Sequence, residues 1–233
     1  MASYAVIGGS KGIGRQLVHQ LAGQGHQVLV YSRTQPTDID ALNISWHEWD
    51  VRNEDWGACP LPESLDGLAY CPGTINLKPF HRTSIHEFKD EFELNFFGAV
   101  KAIHHFLPLL KQSERASVVL FSTVAVSQGM PFHSGIASAK GAVEGLARSL
   151  AAEYAPRIRF NVVAPSLTNT GLAERLLSTE EKKQASAERH PLKRVGTASE
   201  LAASATWLLT GESTWMTAQV VHVDGGMSSI RTI

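Results

Sequence analysis

The chain has 233 residues, 43% of them hydrophobic and 18% charged, with 21 basic against 22 acidic side chains and a formal charge of −1. This composition excludes a disordered chain and a highly charged coiled coil, and the even balance gives no footing for nucleic acid or an anionic membrane surface. The length suits one α/β domain, with ample material for a core covered on two sides.

Taken in chain order, a short apolar strand at 5–8 runs into a glycine-rich turn and a helix over 13–24. Strands follow at 27–32, 45–50 and 67–71. A long helix is predicted over 84–111, where Phe88, Phe92, Phe96, Val100, Ile103 and Leu107 recur every three or four residues. The aromatic stripe reads as a buried helix face. A fifth strand at 117–122, a helix over 136–154, a sixth strand at 159–164, a helix over 199–209 with Ser199 as its N-cap, and a seventh strand at 220–223 complete the series. Residues 166–196 are the least regular stretch. Their charged run, Glu180 to Lys183, reads either as a solvated helix or as a mobile flap over a site.

Alternation of short continuous apolar strands with longer helical patterns predicts a single Rossmann-like doubly wound α/β domain over 1–233. Its mainly seven-stranded parallel sheet should carry helices on both faces. The apolar opening at 4–9 breaks at glycine before reaching the length of a secretory core. No run reaches the roughly 18 apolar residues of a spanning helix. Cys59 and Cys71 have neither metal-ligand spacing nor a disulfide framework. His104 and His105 have no third ligand beside them, and Trp46, Trp49 and Trp56 read as packing around the third strand. The expectation is a cytoplasmic, reducing-compartment protein with no metal and with neither membrane nor nucleic acid as partner.

Chemistry first shows in the turn after the first strand, where Gly8, Gly9, Ser10, Lys11, Gly12, Ile13 and Gly14 lead directly into a helix. Glycine lets backbone approach a pyrophosphate, and the helix start supplies free N–H groups and a positive dipole end. A site for NAD usually places a carboxylate at the end of the second strand to hold the ribose 2′-hydroxyl. Here Val30, Tyr31 and Ser32 are followed by Arg33, and Lys11 lies inside the turn. Both are suited to a 2′-phosphate, so the expected cofactor is NADP(H).

These residues resemble the short-chain dehydrogenase/reductase family, and the resemblance covers nearly the whole chain. Gly8 to Gly14 match its glycine turn, and Asp50 with Val51 its adenine-binding pair. Gly73 matches the end of an Asn-Asn-Ala-Gly segment whose two asparagines are absent here. Asn95 matches the asparagine of the fourth helix. The strand from Arg159 to Pro165 resembles the one beside the nicotinamide, and Thr168 and Thr170 just beyond it are implied cofactor contacts. Pro191 to Gly196 and Val223 to Gly226 resemble C-terminal signatures. The family further implies a homodimer or homotetramer and a small-molecule substrate.

The family's reaction uses serine, tyrosine and lysine. Lysine holds the nicotinamide ribose and lowers the tyrosine pKa, while tyrosine moves the proton. Lys140 matches the lysine, but four residues earlier stands Ile136, which cannot transfer a proton. The serine offset lands on Thr123, with Ser122 beside it. Enoyl reductases of the wider family place tyrosine seven residues before lysine, and that position is His133. His133 is either an alternative acid or a loop histidine bordering the pocket. Two functions stay open. One is an NADP(H)-dependent oxidoreductase acting on a carbonyl, alcohol or activated alkene, with Lys140 at the ribose, Thr123 or Ser122 on substrate oxygen and Asn95 on a water-mediated proton path. The other is an NADP(H)-binding sensor or scaffold without turnover.

Overall fold

A computed structural model describes residues 1–37 and 43–231. Seven parallel strands form one sheet: β1 (Ser3–Ile7), β2 (Gln27–Ser32), β3 (Ile44–Glu48), β4 (Gly67–Tyr70), β5 (Ala116–Phe121), β6 (Ile158–Pro165) and a last strand, Val220–Val223, in the order β3-β2-β1-β4-β5-β6-last. Every pairing in this sheet is parallel, so each connection crosses from one end of the sheet to the other. The central strands β1, β2, β4, β5 and β6 are mainly apolar and buried because both faces are covered, whereas the edge strands β3 and Val220–Val223 are only partly buried. Helix α1 (Gly12–Gly23) lies with Ala198–Leu209 on one face, over Val6, Val28, Val30 and Val119. Helices α2 (Ile85–Phe92), α3 (Gly98–Leu110) and α4 (Ser134–Tyr154) occupy the other face, where Phe106, Phe160, Leu68 and Leu120 are fully buried. No helix among the described residues is long and apolar enough to cross a membrane.

The predicted elements all form, with four differences. The first strand lies two residues earlier than 5–8 and ends before Gly8, whose φ of +77° takes it out of the extended region. The expected continuous helix over 84–111 is interrupted by a π-helical segment, Glu93–Phe97. The Tyr70 hydroxyl donates to the Leu94 carbonyl at 2.6 Å, taking the acceptor that Gly98 would use in a regular helix. The Gly98 N–H drops back to the Glu93 carbonyl instead. Gly98 must be glycine because a Cβ there would fall on that hydroxyl.

The stretch 166–196 is structured. A short strand pair, β7 (Thr168–Asn169) with β8 (Gly196–Thr197), clamps its two ends, and α5 (Glu180–Glu188) contains the charged run as a largely exposed helix. Finally, the cap of α6 (Ala198–Leu209) is Thr197, not Ser199. The Thr197 hydroxyl accepts the Glu200 N–H, and the Glu200 carboxylate accepts the Thr197 N–H in return. Ser199 instead accepts the Gln20 side-chain amide. The last sheet strand, Val220–Val223, is β9.

Candidate active site

Strand order reverses direction between β1 and β4, and the crevice beyond their carboxyl ends is where open α/β sheets bind ligands. Two segments meet there: the glycine turn after β1, and Cys71 to Thr74 after β4. In the turn, Gly8 and Gly12 adopt φ of +77° and +56°. A Cβ on Gly14 would fall on the Gly8 carbonyl oxygen, and one on Gly8 would meet the Pro72 ring at 3.0 Å. The twelve-residue α1 has Lys11 as its N-cap with no side-chain cap among the described residues, so no side chain occupies the positive end of the helix at the crevice. Backbone this close, ending in uncapped donors, fits a diphosphate.

Ser10 is linked to Thr34 at 3.4 Å, and Arg33, exposed, directly follows β2. Asp50 follows β3 and accepts the Arg52 N–H at 3.0 Å, with Val51 buried beside it. On the other side, Thr170 lies 3.6 Å from where a Gly12 Cβ would stand. Thr168 is buried and donates to the Ser166 carbonyl at 3.1 Å. The structure therefore gathers the predicted cofactor residues along one rim, from Arg33 and Asp50 through the glycine turn to Pro165, Thr168 and Thr170.

Beyond that rim lies a mainly apolar cavity of about 280 Å³ whose walls include Ile13, Gly73, Thr74, Thr123, Ile136, Lys140, Pro165 and Leu176. Lys140 reaches it from the second turn of α4. It is 6% exposed, and its ammonium lies 3.6 Å from the space beside Gly73. Among the described residues no carboxylate forms an ion pair with it. Burial pushes its pKa down to about 8, against the opposing pull of Cys71 and Glu91. The Cys71 thiol is in turn pushed up to about 12 by the same burial. Asn95, in the π segment, is fully buried. Its amide donates to the Glu91 carbonyl at 2.9 Å, the Glu91 carboxylate at 3.0 Å and the Thr74 hydroxyl at 3.0 Å. Its carbonyl oxygen has no hydrogen-bond partner among the described residues and faces Gly73, a buried acceptor for a ligand or water.

The two hydroxyls at the end of β5 separate cleanly. Ser122 donates to the Glu144 carboxylate at 2.6 Å, so its proton is committed to α4. Thr123 only accepts, from Ala125 N–H at 3.3 Å, which leaves its proton available toward the cavity it lines. Ile136 is buried in the cavity wall, one turn of α4 before Lys140. His133 stands at the N-cap of α4, with its Nδ1 2.7 Å from the Pro131 carbonyl; only its other nitrogen is available to the cavity. His105 is taken up in packing, 3.1 Å from the Cys59 carbonyl and edge-on to Trp56.

Sequence reading missed four side chains here. Glu91 and Thr74 form a close hydrogen-bonded pair beneath the cavity. Ser166 and His190, both in its wall, are hydrogen-bonded at 2.8 Å, and His190 Nδ1 lies 2.8 Å from the Ser186 carbonyl. In the neutral ring that carbonyl takes the Nδ1 proton, so Nε2 accepts from Ser166. The signal for Glu91 was present: a carboxylate three residues after Phe88, on an apolar face.

A family model described as Enoyl-(Acyl carrier protein) reductase matches residues 8–228. A tropinone reductase homolog of Arabidopsis thaliana is 32% identical over 239 residues, covering 96% of this chain and 91% of the relative. Glucose 1-dehydrogenase 2 of Bacillus subtilis is 26% identical over 249 residues, covering 96% and 93%. Among solved structures, ligand-free aldohexose dehydrogenase of Thermoplasma acidophilum superposes with a TM-score of 0.89 at 27% identity, covering 100% of this chain and 96% of that one.

Proposed function

Because the chain belongs to the short-chain dehydrogenase/reductase family, we propose that it is an NADP(H)-dependent oxidoreductase of a small carbonyl or alcohol, or of an activated alkene, with an acid–base site altered at Ile136. One observation carries this reading. Lys140 holds a buried ammonium, without an ion pair among the described residues, at the floor of an apolar cavity that continues into the glycine turn. Burying an unpaired charge destabilises a fold. Ribose hydroxyls placed there would relieve that cost.

The glycine turn and the first N–H groups of α1 would hold the diphosphate. Arg33 and Lys11 favour a 2′-phosphate, and Asp50 with Val51 would border the adenine. When bound, the reduced nicotinamide supplies a hydride to substrate carbon and is itself oxidised. Thr123 would donate to the substrate oxygen, the apolar walls exclude water, and the Ser166–His190 pair offers a second polar anchor for substrate. Carbonyl or alcohol chemistry is favoured because the names of the Arabidopsis and Bacillus relatives both describe it.

Ile136 supports a second reading, an NADP(H)-binding sensor or scaffold, since no phenol stands before Lys140. NADPH consumption across ketone, aldehyde and enoyl substrates, beside calorimetric NADPH binding, separates the two. Turnover supports the enzyme. Tight binding with no consumption on the whole panel supports the sensor, and no binding of either nicotinamide dinucleotide overturns both.

A further inference from the structure

We propose that Glu91, acting through the Thr74 hydroxyl, supplies the proton that the missing phenol would have supplied. This rests on the oxidoreductase reading above. Glu91 lies in the last turn of α2, 4% exposed, at a position that an amphipathic helix would fill with an apolar side chain. It packs against the start of α4, where a Cβ on Gly135 would stand in ordinary contact with the Glu91 Cγ at 3.5 Å. The next residue is Ile136. The carboxyl group therefore reaches the same end of α4 from which the phenol is absent.

Charged and titratable neighbours face Glu91 from each packed element. Lys140 on α4 attracts the anion, Asp90 on its own helix repels it, and Cys71 at the end of β4 lies beyond Lys140. Asn95 and Thr74 donate to the carboxylate from the π segment and the loop after β4. Desolvation prevails over these contacts and holds Glu91 above the ordinary carboxylate range.

Protonation then sets the direction of the Thr74 hydroxyl. A protonated Glu91 donates to Thr74 Oγ1, and the Asn95 amide donates to the same oxygen at 3.0 Å. With both lone pairs engaged, the Thr74 O–H has to point elsewhere, and Thr74 lines the cavity. An ionised Glu91 reverses the bond and draws the hydroxyl back. In reduction, hydride forms the new C–H bond and the carbonyl π pair passes to oxygen. That oxygen takes the Thr74 proton as Thr74 takes the Glu91 proton. The resulting carboxylate is held by Thr74, Asn95 and the field of Lys140, and water reprotonates it. Oxidation of an alcohol runs the same transfers backwards. Thr74 is the group that touches substrate; Glu91 is the proton store behind it.

The first test needs no cofactor. Infrared spectra of the free protein, titrated upward from acid pH, should contain a protonated-carboxyl band that persists above the range of the exposed carboxylates, disappears in the isosteric Glu91→Gln and shifts in Thr74→Val. With substrate and NADPH, Glu91→Gln and Thr74→Val should each lower kcat by roughly 10²–10⁴-fold, the worth of positioned acid–base catalysis, with NADPH affinity unchanged as evidence of folding. Wild-type reduction should fall as pH rises through the Glu91 pKa. Glu91→Gln should lose that limb, and Thr74→Ser should restore rate and profile. Absence of the band, or a Glu91→Gln enzyme that keeps the wild-type rate and pH profile, overturns the relay while leaving the oxidoreductase standing. A wild-type protein that binds NADPH but turns over nothing overturns the oxidoreductase reading and the relay with it.

Discussion

Lys140 is the residue at which stability and binding oppose each other most directly. Its pKa falls from 10.5 unfolded to about 8 folded, so the folded state resists its charge. Below pH 8 that resistance costs on the order of 3 kcal/mol; it shrinks between 8 and 10.5 and is gone above. Lys140→Met should therefore melt higher than wild type without cofactor, with the gap closing as pH rises through that window, and should lose NADPH affinity. Thermal melts of both proteins at several pH values, with and without NADPH, check the sign; a Met variant that melts lower at pH 7 contradicts it. At the opposite rim, Arg33→Ala should weaken NADPH by about tenfold or more, the worth of one charge-assisted contact, and leave NADH unchanged by calorimetry. Both residues were legible, because the segment around Lys140 and the end of the second strand are local patterns. Glu91 left only the trace of a carboxylate on an apolar helix face, and Thr74, Ser166 and His190 left none, because their partners come together only where the loop after β4, α2, α4 and the 166–196 segment meet.

The π segment is the element that the sequence conceals. Periodicity runs unbroken through Phe92, Phe96 and Val100, and no proline or glycine pair marks an interruption. The break comes from a distant strand, through the Tyr70 hydroxyl on the Leu94 carbonyl. Gly98→Ala should destabilise by about 1–3 kcal/mol, as overpacking does. Tyr70→Phe alone should cost about 1–3 kcal/mol by leaving a buried carbonyl without its donor. Combined, the two should cost less than their sum, because removing the hydroxyl makes room for the methyl group. Denaturant unfolding of the four proteins measures that coupling; strict additivity would show that the hydroxyl does not set the break. The same segment presents Asn95, so the double variant should also report whether a regular helix still feeds the site.

At the scale of the molecule, the doubly wound sheet was readable because the central strands are bounded apolar runs and most crossovers carry a helical period. The sequence indicated a parallel sheet but not the order of its strands, which no local pattern records. The 166–196 segment resisted reading for a physical reason. Its short elements, a two-residue strand pair and a nine-residue polar helix, bury little and therefore carry little periodicity. Its inner side nevertheless supplies Leu172, Leu176 and His190 to the cavity.

The β7–β8 pair brings the two ends of that wall together, with Thr168 opposite Gly196 and Asn169 opposite Thr197. Paired strands lie about 4.8 Å apart, so whatever spans the interval leaves and re-enters the domain at nearly one point. Doubling the length of such a span costs only about 0.6 kcal/mol. The wall is thus an exchangeable cassette. Replacing 171–189 with the corresponding segment of a relative should change which substrates are consumed while NADPH affinity and melting temperature stay close to wild type. Substrate choice could then drift by insertion and deletion without disturbing the dinucleotide half of the molecule.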